Sequence, residues 1–174
     1  MSYREAIEFV LKNEGGYSNQ DADRGGETFR GITRKYFGKW EGWEIIDETD
    51  HFDPRLDELV IKFYKEHFWD AMRLSEVTDK EVARVMLDLG VNMGKKAVIR
   101  KTQRILGVTI DGAIGPITIK ALNAYPRNEL ILNLLLEALE LYASIVNRDR
   151  TQKVFLLGWV NRIVHNYYEY LKNK

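Results

Sequence analysis

The residues best suited to chemistry in this chain are two carboxylates and a hydroxyl near its N-terminus. Glu14 is followed by Asp23 and Thr28 within a segment rich in glycine. A protonated glutamate that faces a second carboxylate is the minimum equipment for cleaving a glycosidic bond. The alternative interpretation is that Glu14, which directly precedes Gly15 and Gly16, is only the solvated end of a helix.

The composition argues against several other kinds of site. The 174 residues contain no cysteine, which excludes disulfides, thiol catalysis and cysteine-bound zinc. The three histidines lie far apart and form no His-x-x-x-His pair, so we expect no metal site. The sequence also lacks a phosphate-binding glycine motif before a helix and a nucleophile-elbow serine. We therefore expect chemistry based on carboxylates, without a cofactor.

Charge is distributed unevenly between the two halves of the chain. Residues 1–93 hold 13 Lys and Arg against 20 Asp and Glu, a net charge of −7. Residues 94–174 hold 13 Lys and Arg against 6 Asp and Glu, a net charge of +7. A basic half can bind a polyanion, such as nucleic acid, an anionic membrane or an acidic cell wall. Alternatively, the two halves neutralise each other across an interface.

The first element that must position Glu14 is an N-terminal helix. Ser2 and Glu5 form a capping box, and apolar residues then recur at helical spacing. We expect this helix to end at the Gly15-Gly16 pair, with Glu14 in or beside its last turn. The exposed carbonyls of a helix C-terminus disfavour a second negative charge, which favours the protonated glutamate that a general acid requires.

Helical periodicity returns after a glycine-rich segment and continues to the C-terminus. Residues 15–42 contain seven of the thirteen glycines and predict a loop or a small β-hairpin. Residues 128–147 are apolar on nearly every face, which predicts a helix buried all round, and a final helix is expected over about 152–171. Other predicted helix boundaries are Asp53-Pro54, the capping box Thr78–Glu81, Gly107 and Gly115-Pro116. The predicted fold class is all-α, with room for a minor β-hairpin.

Motifs in a fixed order along the whole chain add a family resemblance. They are Asn13–Ser18, Asp23–Thr28, Gly31–Thr33, Phe68–Asp70, Leu87–Gly94, Gln103–Gly107, Asp111–Thr118 and Gly158–Arg162. Together they resemble glycoside hydrolase family 108, whose members are peptidoglycan N-acetylmuramidases, some described as secretion activators. The resemblance implies a lysozyme-like muramidase module at residues 1–93 and a small helical peptidoglycan-binding module, packed on the first, at residues 94–174.

The resemblance also implies a reaction and the residues that perform it. The reaction is hydrolysis of the β-1,4 bond between N-acetylmuramic acid and N-acetylglucosamine, without metal or cofactor. Glu14 corresponds to the catalytic glutamate, which protonates the leaving oxygen. Asp23 and Thr28 complete a Glu/Asp/Thr set similar to that of phage-type lysozymes.

Three further residues are candidates for binding substrate. Tyr17 belongs to the same signature as Glu14. Asn92 is a candidate to hydrogen-bond an acetamido group, and the alternative is that it caps a helix. Trp159 is a candidate platform for a sugar ring, and the alternative is that it packs in the core. Asp111 and Gly112 are more typical of a turn than of a ligand site.

Two other functions fit the same motifs. In a lytic transglycosylase of the same fold, Glu14 acts alone and the muramic 6-hydroxyl replaces water. In a non-catalytic accessory protein, the chain only binds the wall and assists secretion. A nucleic-acid partner is not expected, because no recognition motif accompanies the basic half.

The expected partner is therefore the glycan strands of peptidoglycan, and we expect no membrane span. No apolar run reaches the roughly 18 residues that a span requires. Arg4, Glu5 and Glu8 interrupt the apolar region that a secretory signal peptide would need. We expect a protein made in the cytoplasm that acts at the bacterial cell wall, through an export route that the sequence does not identify.

Overall fold

Helices dominate the structure, and one small antiparallel sheet interrupts them. The computed structural model describes residues 2–12, 14–19 and 26–172. The predicted fold class, helical with a minor hairpin, is confirmed. The elements are α1 (Tyr3–Leu11), β1 (Tyr17–Ser18), β2 (Thr28–Phe29), β3 (Ile32–Thr33), α2 (Gly42–Glu48), α3 (Arg55–Tyr64), α4 (Lys80–Met93), α5 (Lys95–Leu106), α6 (Pro116–Ala124), α7 (Arg127–Arg148) and α8 (Lys153–Lys172). Short π and 3₁₀ turns lie at Lys65–Asp70, Leu74–Glu76 and Arg150–Gln152.

The chain divides into two compact units. Residues 2–67 form one unit, which contains α1 to α3 and the sheet. Residues 68–172 belong to the other, which contains α4 to α8. The division that the sequence predicts between residues 93 and 94 concerns functional modules and stays a prediction.

The sheet is built around a two-residue turn. Strand β2 pairs antiparallel with both neighbours, so that Phe29 lies opposite Tyr17 on β1 and opposite Ile32 on β3. The turn between β2 and β3 consists of Arg30, with φ of 45°, and Gly31, with φ of 81°. Positive φ at both central residues is the requirement of a type I′ turn, whose twist matches that of the flanking strands.

Helix α1 begins as predicted and ends earlier than predicted. Ser2 and Glu5 form the capping box, but the helix ends at Leu11 with Lys12 as a right-handed cap. Neither Gly15 nor Gly16 has positive φ. The expected glycine cap is therefore wrong, because these glycines lie in the irregular connection that leads from the helix into β1.

Two other predicted caps shift by one residue. Pro54 is the N-cap of α3 rather than its first helical residue, while the Asp53 carboxylate accepts a hydrogen bond from the Arg55 N–H at 2.9 Å. In α4 the cap is Asp79, whose carboxylate accepts from the N–H groups of the first turn. The predicted cap at Thr78 is wrong, because its N–H and hydroxyl instead donate to the Asn123 side chain. The boundaries at Gly107 and Gly115-Pro116 are confirmed.

The buried central helix of unit 68–172 is α4 and not α7. Every residue from Glu81 to Gly90 is buried, because α4 packs against both α5 and α7. The prediction that 128–147 is buried all round is wrong. On α7, Leu132 is 47% exposed and Leu136 is 53% exposed, although this helix contacts α4, α5 and α8.

Candidate active site

Glu14 lies in the connection between α1 and β1. Its backbone N–H donates a hydrogen bond to the Leu11 carbonyl oxygen at 3.2 Å, so the residue directly follows the last turn of the helix. The side chain is half-buried. The helix that the sequence predicted therefore positions Glu14, although the residue lies three positions beyond its end.

The Glu14 carboxylate closely approaches the turn between β2 and β3. A β-carbon placed on Gly31 would lie 2.9 Å from Glu14 Oε2 and 2.5 Å from the hydroxyl oxygen of Tyr64. Separations below about 3 Å are not found for real β-carbons. A side chain at position 31 would therefore displace the Glu14 carboxylate or the Tyr64 hydroxyl, and the positive φ of Gly31 also favours glycine there.

Tyr64 fixes this turn to α3. Its side chain is 2% exposed, and its hydroxyl donates a hydrogen bond to the Arg30 carbonyl oxygen at 2.7 Å. The connection after α1, the hairpin turn and α3 thus converge around the Glu14 carboxylate. Neither Tyr64 nor Gly31 was among the predicted site residues. The available signals were that Gly31 belongs to the Gly31–Thr33 motif and that Tyr64 ends a helix whose buried residues include Val60 and Phe63.

Tyr17, a candidate substrate-binding residue, belongs to a hydrogen-bonded network in the same unit. Its hydroxyl donates to Glu27 Oε1 at 2.9 Å, and the hydrogen bond to this carboxylate raises the pKa of Tyr17. Arg34 joins Glu27 to Asp47 and lowers the pKa of the Asp47 carboxyl through its hydrogen bonds. The Tyr17 ring stacks on His51 at 4.6 Å. These contacts hold the first strand against the rest of the unit.

The remaining catalytic candidates are Thr28 and Asp23. Thr28 is half-buried on β2, where its hydroxyl donates to the Gly26 carbonyl oxygen at 3.2 Å. Asp23 lies outside the described residues. Their roles beside Glu14 therefore stay predictions.

The other two substrate-binding candidates lie in unit 68–172 and are joined by a third residue. The Tyr142 hydroxyl donates to Asn92 Oδ1 at 2.5 Å, and its ring stacks on Trp159 at 4.9 Å with an interplanar angle of 16°. Burial raises the pKa of Tyr142 to about 12. Asn92 is not the C-cap of α4, because the helix continues to Met93 and Gly94 caps it. The half-buried Trp159 therefore presents a ring that Tyr142 supports on one face.

A buried polar network holds α4 against α8 beside these residues. Asp88, which is fully buried, accepts hydrogen bonds from Arg162 at 2.9 Å and from Asn166 at 2.5 Å. Asn166 in turn accepts from Arg84, which is 1% exposed. Removing one partner of such a buried pair is costly, because it leaves an uncompensated charge. The motifs around Asp88 and Arg162 thus pair with each other across two helices.

Asp111 and Gly112 have the structural role that the sequence favoured. Asp111 Oδ1 accepts from the Ala113 N–H at 2.9 Å, and Gly112 has φ of 79°. The Gln103 side chain donates to Asp111 and accepts from the Gly112 N–H. The motif is a turn that Gln103 fastens to α5.

Unit 2–67 also contains an open groove of about 650 Å³. Its aromatic lining includes Phe37, Trp40 and Phe63. Neither Glu14 nor Thr28 lines it.

Over the described ranges, no group of three or more His, Cys, Asp or Glu residues is arranged to hold a metal ion. In the same ranges, the helices all lack the length and apolarity that crossing a membrane demands.

Comparison with known proteins assigns the chain to a family. Residues 7–94 match the family described as Glycosyl hydrolase 108, and residues 97–164 match a second family, described as Predicted Peptidoglycan domain. The chain therefore belongs to glycosyl hydrolase family 108 and carries a peptidoglycan-binding module.

A solved structure is similar over nearly the whole chain. The structure described as "Structure of Brucella abortus SagA" superposes with a TM-score of 0.76 at 25% sequence identity, and the match covers 98% of this chain and 94% of that chain. No curated protein sequence matches the chain. The comparisons thus place the chain in a glycosidase family with peptidoglycan as its partner.

Proposed function

We propose that the chain hydrolyses the β-1,4 bond between N-acetylmuramic acid and N-acetylglucosamine in peptidoglycan, with Glu14 as the general acid. The observation that carries this proposal is the position of the Glu14 carboxylate over Gly31. The connection after α1, the turn between β2 and β3, and α3 meet beside it, and Gly31 leaves the space that the carboxylate occupies. A general acid needs a defined position, since proton transfer requires hydrogen-bond reach to the leaving oxygen.

The proposed reaction has one chemical step. Glu14 donates a proton to the glycosidic oxygen as the bond to the muramic acid C1 breaks. A water molecule attacks C1 from the opposite face. Asp23 and Thr28 orient this water, and the Asp23 carboxylate accepts the proton that the water loses. The outcome is inversion at the anomeric carbon, for which the two carboxyl groups must be roughly 6.5–9.5 Å apart.

The two modules divide the work in this proposal. Residues 1–93 supply the catalytic groups and Tyr17, whereas residues 94–174 bind the wall. Asn92 and Trp159 contact glycan, and the half-buried Trp159 ring is suited to this because Tyr142 supports it by stacking. The net charge of +7 on residues 94–174 favours an acidic polymer. The proposed place of action is the bacterial cell wall.

The test is an activity assay on purified peptidoglycan with Glu14→Gln. The amide keeps the shape of the side chain but cannot supply the proton, so we expect a loss of at least about 10²-fold. Glu8→Gln is the matched control, because Glu8 is an exposed glutamate on α1 that undergoes the same change. A Glu14→Gln protein that keeps most of the activity would overturn the role of Glu14.

A further inference from the structure

Helix α8 carries an apolar stripe on the side that faces away from its own unit. Its apolar members are strongly exposed, and with Asn161 included they are spaced alternately by three and four residues. They are Val154 (71% exposed), Leu157 (71%), Val164 (59%), Tyr168 (57%) and Leu171 (45%). We call this set, together with Asn161, the α8 stripe.

The other side of α8 is occupied by contacts within unit 68–172. Trp159 stacks on Tyr142, Asn166 bonds to Asp88, and the Tyr170 hydroxyl donates to Asn128 at 2.5 Å. The exposure of the α8 stripe is therefore not explained by the packing of its own unit. Large apolar side chains grouped in one exposed stripe mark an interaction surface.

The spacing of the α8 stripe is that of a coiled-coil seam. In a heptad labelled a to g, the positions called a are occupied by Val154, Asn161 and Tyr168. The positions called d are occupied by Leu157, Val164 and Leu171. Two further aromatic residues of α8, Phe155 and Tyr167, are exposed beside the α8 stripe. An a/d stripe of period 3.5 is narrower than the face by which a helix packs on a globular core. It is the pattern by which one helix packs along another of matching repeat.

We propose that the α8 stripe is the interface of a parallel homodimer, in which α8 of one copy packs along α8 of a second copy. The central a position, Asn161, is polar and exposed. A single asparagine at an a position pairs with its counterpart in parallel dimers and fixes register and oligomer state. In a parallel dimer, Asn161 of the second copy is that counterpart, because it lies at the same level along the paired helices.

The charges of the e and g residues on either side of the α8 stripe are compatible with this parallel register. In it, each g residue faces the e residue of the next heptad on the partner. Lys153 then faces Gly158, and Lys172 faces Tyr167. The third pair, Val160 with His165, combines an apolar and a titratable residue. No like-charged pair opposes the association of two copies.

The first experiment measures the molar mass of the full chain by size exclusion with light scattering, over about 5–200 µM, a range that covers micromolar dissociation constants. The proposal predicts a species of twice the 20.3 kDa chain mass at the upper end. Val164→Asp is expected to weaken association by more than about tenfold, since it places a charge at the centre of the seam. Ile117→Asp is the matched control, because Ile117 is 76% exposed on α6, and it should stay dimeric.

The second experiment tests the register. The chain has no cysteine, so Asn161→Cys introduces a single thiol at an a position, where parallel pairing brings the two copies together. Oxidation should give a disulfide-linked dimer, whereas Ile117→Cys should not.

Several results would overturn the proposal. A chain that is monomeric at every concentration would do so, as would a dimer that survives Val164→Asp. A dimer whose Asn161→Cys variant fails to cross-link would exclude the parallel register. A monomer that binds vesicles of phosphatidylglycerol, and loses this binding in Val164→Asp, would assign the α8 stripe to a lipid surface instead.

Discussion

Replacing Gly31 by alanine tests the geometry that holds Glu14. The new β-carbon would meet the Tyr64 hydroxyl at 2.5 Å and Glu14 Oε2 at 2.9 Å. It would also sit on a residue with φ of 81°. The change therefore combines backbone strain with a collision against the proposed catalytic group, and the two effects can be measured separately.

The magnitudes follow from these two terms. A left-handed conformation costs a non-glycine residue about 1–2 kcal/mol, and overpacking costs typically about 1–3 kcal/mol. Gly31→Ala should therefore lower the free energy of unfolding by about 2–5 kcal/mol. A displacement of the Glu14 carboxylate by about 1 Å is enough to cost about 10²-fold in rate. We expect both losses in the same variant.

The matched control is Gly107→Ala. Gly107, which follows α5, also has positive φ, 67°, but a β-carbon there would meet nothing within 4 Å. This variant should lose only the strain term of about 1–2 kcal/mol, with activity close to wild type. Urea denaturation gives the two free energies, and digestion of purified peptidoglycan gives the rates. If Gly31→Ala matched Gly107→Ala in both measurements, the Glu14 carboxylate would not lie beside Gly31.

Three further predictions concern titration, binding and stereochemistry. Burial raises the pKa of Tyr142 to about 12, so the stability tied to its neutral form is present below pH 10 and is lost as the pH rises through 12. An absorbance titration of tyrosinate should show one late step that Tyr142→Phe removes, and a late step that persists would contradict it. Binding to insoluble peptidoglycan should weaken as the salt concentration rises from about 0.05 to 0.5 M, since salt screens the charge of residues 94–174. A pull-down with the Glu14→Gln protein measures this binding. If binding did not change with salt, the opposite charges of the two halves of the chain would only neutralise each other. Proton NMR of the first-formed product should show the α-anomer, and Asp23→Asn should slow the reaction without trapping an intermediate; a β-anomer or a mass shift on Asp23 would make Asp23 a nucleophile.

Local chemistry made much of the fold predictable. The capping box at Ser2, the left-handed glycine at Gly107 and the proline start at Gly115-Pro116 depend on a few adjacent residues, and all are confirmed. The caps at Gly15-Gly16 and Thr78 were wrong because neighbouring segments decide them. A strand begins at Tyr17, and Asn123, far along the chain, binds Thr78.

Burial was less predictable than helix type. Residues 128–147 are apolar on most faces, yet the most enclosed helix is α4, which contains the charged residues Arg84 and Asp88. Asp88 is paired with Arg162 from α8, which is distant in sequence, whereas Arg84 is paired with Glu81 on its own helix and also donates a hydrogen bond to Asn166 on α8. Apolar patterning alone does not reveal such pairing.

The candidate site was predictable in type but not in geometry. Glu14 stood out because the ordered motifs around it resemble a glycosidase family, whereas a glutamate before two glycines is by itself also typical of a solvated helix end. The roles of Gly31 and Tyr64 depend on how the hairpin turn packs against α3 and beside Glu14. No local sequence pattern predicts that these segments lie close together. Trp159 is neither fully buried nor fully exposed, so the two alternatives weighed for it both capture part of its environment.

The central claim is tested most directly by mass spectrometry of the products formed from purified peptidoglycan, with wild-type protein and Glu14→Gln side by side. The claim predicts fragments with hydrated, reducing N-acetylmuramic acid ends from the wild type and none above background from Glu14→Gln. Anhydro-muramic ends would show a lytic transglycosylase. Intact glycan strands from the wild-type protein, together with retained binding to the wall, would show a non-catalytic accessory and contradict the claim.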